Sequence, residues 1–231
     1  MSRAIGARLR ALAEPGRVAV LQGFFKTGPG EYAEGDVFIG VRVPALRALC
    51  RDCGPVALRD IRSLLRSRVH EERLLALLLL VDTYQRADEA GQKRLYTFYL
   101  DHTAFINNWD LVDSSAPQIV GGFLQDRSRA PLRRLARSRS LWERRIAIVA
   151  THHFIRRGDL DDTFRIAELL LDDEHDLIHK AVGWMLREAG KRDGAALRRF
   201  LNPRSSRMPR TMLRYAIERF PAAERLEYLR R

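Results

Sequence analysis

The chain has 231 residues, 46% of them hydrophobic and 30% charged. This composition is typical of a soluble globular protein and excludes general disorder. Lysine and arginine total 41 against 29 acidic residues, which gives a formal net charge of +12. Such an excess of positive charge favours a polyanionic partner, with nucleic acid ahead of an acidic membrane surface.

The sequence shows no sign of a membrane segment or of secretion. The longest apolar run, residues 74–81, is far shorter than the roughly 18 residues needed to cross a bilayer. The first eight residues lack the apolar segment of a signal peptide. We therefore expect a cytoplasmic protein with no membrane partner.

Apolar residues recur at three- and four-residue spacing in nearly every segment, and strict alternation is rare, so the predicted fold class is all-α. In chain order, the predicted helices cover 16–25, 44–53, 56–65, 69–85, 87–100, 107–121, 130–138, 141–156, 160–171, 175–189, 195–201, 209–220 and 222–229. An irregular segment over 26–43, which contains five glycine and proline residues, connects the first helices to those that follow. It lacks the glycine patterns of nucleotide-binding loops.

Helices of this length joined by short turns suggest repeats, and the sequence matches itself weakly at a period of about 36 residues. Small residues recur at equivalent positions, namely Ala76, Ala147, Gly183 and Ala216. Small residues let neighbouring helices approach closely. We therefore predict a right-handed superhelical solenoid of HEAT-like helical repeats. It would form a single domain over 1–231, with N-terminal helices and a loop over 1–43, repeats over 44–202 and capping helices over 203–231.

Metal and redox chemistry receive little support. Cys50 and Cys53 form a lone C-x-x-C without a second pair to complete a zinc site, so we interpret them as ordinary thiols. His175 and His179 have a metal-compatible spacing on one predicted helix, but no third ligand is evident.

The repeat register groups four chemically distinctive residues. Trp109 and Arg145 occupy the same register in successive repeats, Asp113 follows Trp109 by one helical turn, and Trp184 lies near that register further along. Taken singly, each residue has a structural explanation: core packing for a tryptophan, a solvated, capping or arginine-paired role for a carboxylate, and an exposed basic face for an arginine. Taken together, the register predicts that they converge on one surface.

Three segments carry a family resemblance: 107–113 (NNWDLVD), 142–147 (WERRIA) and 180–188 (KAVGWMLRE). They resemble the AlkD family of DNA alkylation repair glycosylases, as do 24–32 (FFKTGPGEY) and 38–44 (FIGVRVP). The resemblance extends from about residue 24 to residue 191, in the same order and with compatible spacing. It implies a superhelix that holds duplex DNA on its concave face. It also implies hydrolysis of the N-glycosidic bond of N3- and N7-alkylated purines such as 3-methyladenine and 7-methylguanine, without base flipping, metal or cofactor.

The resemblance also assigns roles to individual residues. It implies that Asp113 is the catalytic carboxylate, that Trp109 and Trp184 are paired tryptophans of the cleft, and that Arg145 lies near the backbone of the lesion. The expected DNA-binding residues are Arg187 and Lys191, which follow Trp184 on its helix, Arg42 in the loop segment, and Arg144 among the arginines of a basic groove. We expect a monomer that associates with the nucleoid when it binds DNA.

Two other functions remain open from the sequence. A non-catalytic HEAT-like protein that binds distorted or damaged DNA would need the same basic surface. A protein-binding helical scaffold would need only the architecture.

Overall fold

A computed structural model describes residues 2–230, and the fold is all-α, as predicted. In the described residues, the one extended pairing outside helices is an isolated parallel bridge between Val37 and Val69. The chain divides into two compact units, 1–115 and 116–231. The single domain over 1–231 stays a prediction. Every helix within residues 2–230 falls short of the length and apolarity that crossing a bilayer requires.

The first unit contains seven α-helices among the described residues. They are α1 (Ser2–Arg10), α2 (Val18–Phe25), α3 (Val43–Asp52), α4 (Leu58–Leu65), α5 (His70–Arg86), α6 (Glu89–Asp101) and α7 (Trp109–Asp113), with short 3-10 turns at Pro15–Arg17 and Thr103–Phe105. Helix α5 forms the centre of this unit and packs against α3, α4, α6 and α7. Its leucines, among them Leu75, Leu77 and Leu80, are fully buried. Its first turn is buried as well, which brings charged residues into the interior.

Helix α1 was not predicted, because its basic sequence offers few apolar residues. Three of its residues, Ile5, Gly6 and Leu9, are nevertheless buried. The N–H of Ser2 donates to Asp60 Oδ1 at 2.8 Å, and Arg10 pairs with Glu72 at 2.6 Å. Contacts to α4 and α5 therefore stabilise a helix that its own sequence pattern does not indicate.

The second unit begins with a π-helical turn at Pro117–Gly121. It continues through α8 (Gly122–Leu124), α9 (Ala130–Ala136), α10 (Leu141–Ala150), α11 (His152–Ile155), α12 (Asp161–Leu169), α13 (Asp176–Arg192), α14 (Gly194–Leu201), α15 (Arg210–Ala216) and α16 (Ala222–Arg230). Helix α13 packs against α10, α12, α14 and α15. The recurring small residues Ala147, Gly183 and Ala216 are buried here, as Ala76 is in α5. A Cβ on Gly183 would lie 2.5 Å from both Met212 O and Tyr215 Cβ, so the glycine permits the close approach of α13 and α15.

Two long predicted helices are interrupted. The predicted helix over 107–121 ends its α-helical bonding near Ser115, whose hydroxyl donates to Leu111 O at 2.6 Å, and Pro117 then begins the π-helical turn. The predicted helix over 141–156 is divided at Thr151, whose hydroxyl donates to Ile148 O at 2.6 Å. Hydroxyl groups that bond to the preceding turn bend or interrupt helices, a local effect that apolar periodicity does not detect.

Candidate active site

Helix α7 carries the first two predicted site residues. It begins at Trp109, whose backbone N–H donates to the side chain of the buried Asn108 at 2.8 Å. Leu111 and Val112 are fully buried, whereas Trp109 and Asp113 are half-buried. Because residues four apart lie on the same helical face, the structure places Trp109 and Asp113 together on the more exposed face of α7.

The Trp109 indole rests on two phenylalanines from the end of α2. It stacks on Phe25 with ring centroids 5.1 Å apart and an interplanar angle of 14°, and Phe24 meets it edge-on at 5.7 Å. Phe25 is buried, while Phe24 is 62% exposed. Phe25 stacks in turn on Phe38 at 5.0 Å. The indole is therefore held on one face by a buried aromatic cluster.

A buried polar network lies behind this cluster. The Nδ1 of His70 lies 3.0 Å from Asp36 Oδ2, and its Nε2 lies 2.8 Å from Asp110 Oδ2. Arg73 donates to Asp36 Oδ1 at 2.6 Å, and Asn108 donates to Asp36 Oδ2 at 3.3 Å. The network joins the irregular segment, α5 and α7 through charge-assisted hydrogen bonds, which are stronger than neutral ones.

The network changes the titration of its members. Burial on its own lowers the pKa of His70, but the carboxylates of Asp110 and Asp36 outweigh burial and raise the pKa to about 9. Burial raises the pKa of Asp36, but hydrogen bonds and charge interactions with His70 and Arg73 bring it below its ordinary value. His70 is therefore an imidazolium at neutral pH, with both ring nitrogens donating.

A second carboxylate fixes the irregular segment to α5. Glu71 Oε1 accepts from the backbone N–H groups of Ile39, Gly40 and Val41 at 3.1, 2.8 and 3.2 Å. Gly40 has φ +89°, and a Cβ there would lie 2.1 Å from Glu14 O. The segment that carries Asp36 and Phe38 thus has a defined conformation, which requires glycine at this position.

Asp113 faces a partly buried environment. Tyr99, fully buried, contacts Ser115 with 3.0 Å between the hydroxyl oxygens. Burial raises the pKa of Tyr99, and the charge of Asp113 raises it further. The phenol therefore remains neutral beside the carboxylate of Asp113.

The second unit carries Arg145 and Arg144, both on α10. Arg145 is buried, and its guanidinium donates to Leu177 O at 2.7 Å. Arg144 pairs with Asp173 at 2.6 Å and donates to the carbonyls of Ser138 and Arg139. Both arginines therefore have structural partners within this unit, and their contacts with DNA stay predictions.

The remaining predicted residues of this unit lie on α13. Trp184 is half-buried, with its ring centroid 5.8 Å from that of His152 on α11. Arg187 pairs with Glu218 and lies 3.5 Å from Glu188, while Lys191 contacts Glu188 at 2.7 Å. Lys191 is more exposed than Arg187, so its ammonium is the more accessible cation.

Arg42 belongs to the first unit, where it forms an ion pair with Glu14 at 3.0 Å and remains 58% exposed. The structure brings Trp109 and Asp113 together on α7, and it places Arg145 and Trp184 in the second unit. The convergence of these four residues on one surface stays a prediction.

Sequence reasoning missed the network around His70. Asp110 does not belong to the four residues grouped by the repeat register, yet its carboxylate contacts a buried histidine at 2.8 Å. The available signal was the charged start of α5, His70-Glu71-Glu72-Arg73. These residues precede a long leucine run, but only their burial in the structure shows that they hold another part of the chain.

The candidate metal and redox residues have structural explanations. His175 caps α13 by accepting from the N–H of Leu177 at 3.1 Å, and His179 contacts Asp173 O. Cys50 and Cys53 are free thiols, and burial raises the pKa of each. Within residues 2–230, no group of three or more acidic, histidine or cysteine side chains is arranged to hold a metal ion.

Comparisons with known proteins support the resemblance at the level of DNA alkylation repair. A family model described as DNA alkylation repair enzyme matches residues 5–220. The structure is similar to a solved one named "Predicted DNA alkylation repair enzyme from Enterococcus faecalis", with a TM-score of 0.69 and 16% identity over 91% of this chain and 97% of that chain. At that identity, the likeness concerns the fold alone. Among curated proteins, none matches the chain. Since the family model spans nearly the whole sequence, this chain belongs to the family of DNA alkylation repair enzymes, whose substrate is DNA.

Proposed function

We propose that this protein is a monofunctional DNA glycosylase of the AlkD type. It would hydrolyse the N-glycosidic bond of N3- and N7-alkylated purines in duplex DNA. The observation that carries the proposal is the α7 arrangement, in which Trp109, stacked on Phe25, stands one turn from Asp113 in a chain of the DNA alkylation repair family.

The chemistry of the lesion suits these residue types. Alkylation at N3 or N7 gives the purine a positive charge. When the bond between the purine and C1′ breaks, its electron pair goes to the base, which leaves as a neutral molecule without prior protonation. The positive charge then develops on the deoxyribose.

The proposed site stabilises that developing charge. The carboxylate of Asp113 would interact with the oxocarbenium-like sugar and orient a water molecule, which adds its oxygen to C1′ and loses a proton. The electron-rich faces of Trp109 and Trp184 would add cation–π stabilisation. No lysine nucleophile is needed, because water itself forms the new bond.

The DNA contacts follow from the charge. A net charge of +12 supports binding to the phosphate backbone, for which Arg42, Arg187 and Lys191 are the proposed contacts, with Arg144 at the margin of the basic groove. Arg145 is 5% exposed and donates to Leu177 O, so we propose that it acts near the backbone of the lesion only if DNA binding draws its guanidinium away from that carbonyl. In keeping with the resemblance, we propose that the modified base remains stacked while the protein engages the backbone and sugar. We propose that the protein acts as a monomer.

The test is release of free base from a duplex that contains a single 7-methylguanine, measured by chromatography. A matched duplex containing hypoxanthine, a neutral lesion, is the control. We expect release of 7-methylguanine only, and no covalent adduct when borohydride is added. Release of both bases would contradict the argument from leaving-group charge, and a trapped adduct would contradict direct hydrolysis by water.

The positive charge also supports a second candidate, a non-catalytic protein that binds distorted or damaged DNA. It predicts salt-dependent binding to the lesion duplex without release of base from any alkylated purine.

A further inference from the structure

His70 is joined to Trp109 by a continuous stack of buried rings. Trp109 stacks on Phe25 at 5.1 Å, Phe25 on Phe38 at 5.0 Å, and Phe38 on His70 at 4.5 Å, with interplanar angles of 14°, 23° and 22°. His70 itself is 1% exposed, so it cannot touch DNA.

A second connection runs from His70 to α7, the helix that begins at Trp109. Its Nε2 lies 2.8 Å from the carboxylate of Asp110, the residue that follows Trp109 and precedes Asp113 by three positions. Its other ring nitrogen contacts Asp36, which also accepts from Asn108, the residue that caps α7. Ring stacking and ion pairing therefore both lead from His70 to the turn that bears Trp109 and Asp113.

We propose that His70 is a positioning residue for the glycosylase reaction, which orients Trp109 and Asp113 through Asp110 on one side and the Phe38–Phe25 stack on the other. This inference rests on the proposed function. Helix α7 has only five residues and cannot hold its own geometry, since isolated short helices are unstable. Its orientation must come from contacts, and those of His70 reach it by two routes.

The two bonds of His70 require the imidazolium form. Both ring nitrogens face carboxylates, and only a doubly protonated ring donates to both. The charged groups that face it are Asp36 from the irregular segment, Asp110 from α7 and Arg73 from α5. A glutamine in its place can donate from its NH2 group to one carboxylate, but its other polar atom is a carbonyl oxygen, which cannot donate to the second. It also lacks the positive charge and the ring that stacks on Phe38.

The first experiment compares His70→Gln with His102→Gln. His102 is a matched control, because it also stacks on a phenylalanine of the first unit and bonds to a backbone carbonyl, outside the network. In protein labelled with 5-fluorotryptophan, we expect His70→Gln to shift or broaden the fluorine resonance of Trp109 while Trp142 and Trp184 keep theirs. The control should leave all three unchanged. An unchanged Trp109 resonance in folded His70→Gln protein would overturn the proposal.

The second readout is the rate of 7-methylguanine release from saturated complex in a single turnover. Loss of orientation at a reacting site costs on the order of 10- to 100-fold in rate. We expect a decrease of that size for His70→Gln, with the dissociation constant for DNA within about threefold of wild type because His70 makes no contact with DNA. A parallel loss of DNA affinity and rate would instead indicate general destabilisation and overturn the positioning role.

A double-mutant cycle tests the route through Asp110. If His70 acts through Asp110, the combined His70→Gln and Asp110→Asn protein should be about as slow as the slower single variant. Independent, multiplying effects would overturn that route. If wild-type protein releases no alkylated purine, the proposed function fails, and the Trp109 resonance still decides whether His70 sets the geometry of α7.

Discussion

The buried imidazolium of His70 makes the stability of the first unit depend on pH in a specific direction. The pKa of His70 is about 9 in the folded protein, against an ordinary value of 6.5. The folded state binds this proton more tightly than the unfolded state does, so protonation of His70 stabilises the fold. This contribution to the free energy of unfolding is fully present below about pH 6.5 and is lost as the pH rises through 9. The difference between the folded and ordinary pKa values of His70 corresponds to about 3 kcal/mol in the free energy of unfolding.

The assay is urea unfolding between pH 6.5 and pH 9, followed by the fluorescence of Trp109. Trp142→Phe and Trp184→Phe make that indole the only reporter. Burial lowers the pKa of His152, of His153 (to about 4) and of His175, so these histidines are neutral in the folded protein across this window. The His70→Gln protein keeps all three, so their contribution cancels in the comparison. We expect the unfolding free energy to fall by about 3 kcal/mol across the window, and to stay nearly flat in His70→Gln. Equal pH dependence in both proteins would refute the assignment of a buried, doubly paired imidazolium.

Three further predictions concern packing, the irregular segment and DNA binding. Gly183→Ala places a Cβ 2.5 Å from backbone and side-chain atoms of α15, and in thermal unfolding it should destabilise the protein by about 1–3 kcal/mol. Gly23→Ala adds a Cβ to α2 in open space, and it should stabilise the protein by about 0.5–1 kcal/mol. The reverse order would contradict the close packing of α13 and α15. Glu71→Gln removes a buried carboxylate that accepts hydrogen bonds from three backbone N–H groups, and it should lower the free energy of unfolding by about 1–3 kcal/mol. Limited proteolysis should then cut the segment between α2 and α3 faster. An unchanged cleavage rate would count against the role of Glu71 in anchoring that segment. Lys191→Ala should weaken DNA binding for all sequences alike and reduce the salt dependence by about one phosphate contact, whereas an unchanged slope would remove Lys191 from the interface.

The fold class follows from the sequence because it depends on periodic apolar residues. Ala76 and Ala147 could be aligned from the sequence alone, and both are fully buried. The helix breaks at Ser115 and Thr151 could not be predicted from the sequence, because each depends on a hydrogen bond from a single hydroxyl group. Helix α1 was missed for a related reason, because its stability comes from contacts with distant helices.

The candidate site, too, can be predicted from the sequence only in part. Trp109 and Asp113 could be paired from their spacing, since four residues make one helical turn. His70 could not be linked to them, because Asp36 and Asp110 lie 34 and 40 residues away and meet it only in the folded chain. A charged residue at the start of a helix is ordinarily solvated, and nothing in one sequence distinguishes the exception.

If Asp113 supports hydrolysis of a cationic purine nucleotide, its replacement must slow the release of the base. Single-turnover release of 7-methylguanine is measured for wild type, Asp113→Asn and Asp161→Asn. Asp161 is a suitable control because it is a carboxylate with a side chain that is 79% exposed. We expect the control to release the base at the wild-type rate, and we expect Asp113→Asn to lose at least about 100-fold in rate while it still binds DNA. A wild-type rate in Asp113→Asn would contradict a catalytic role for this carboxylate.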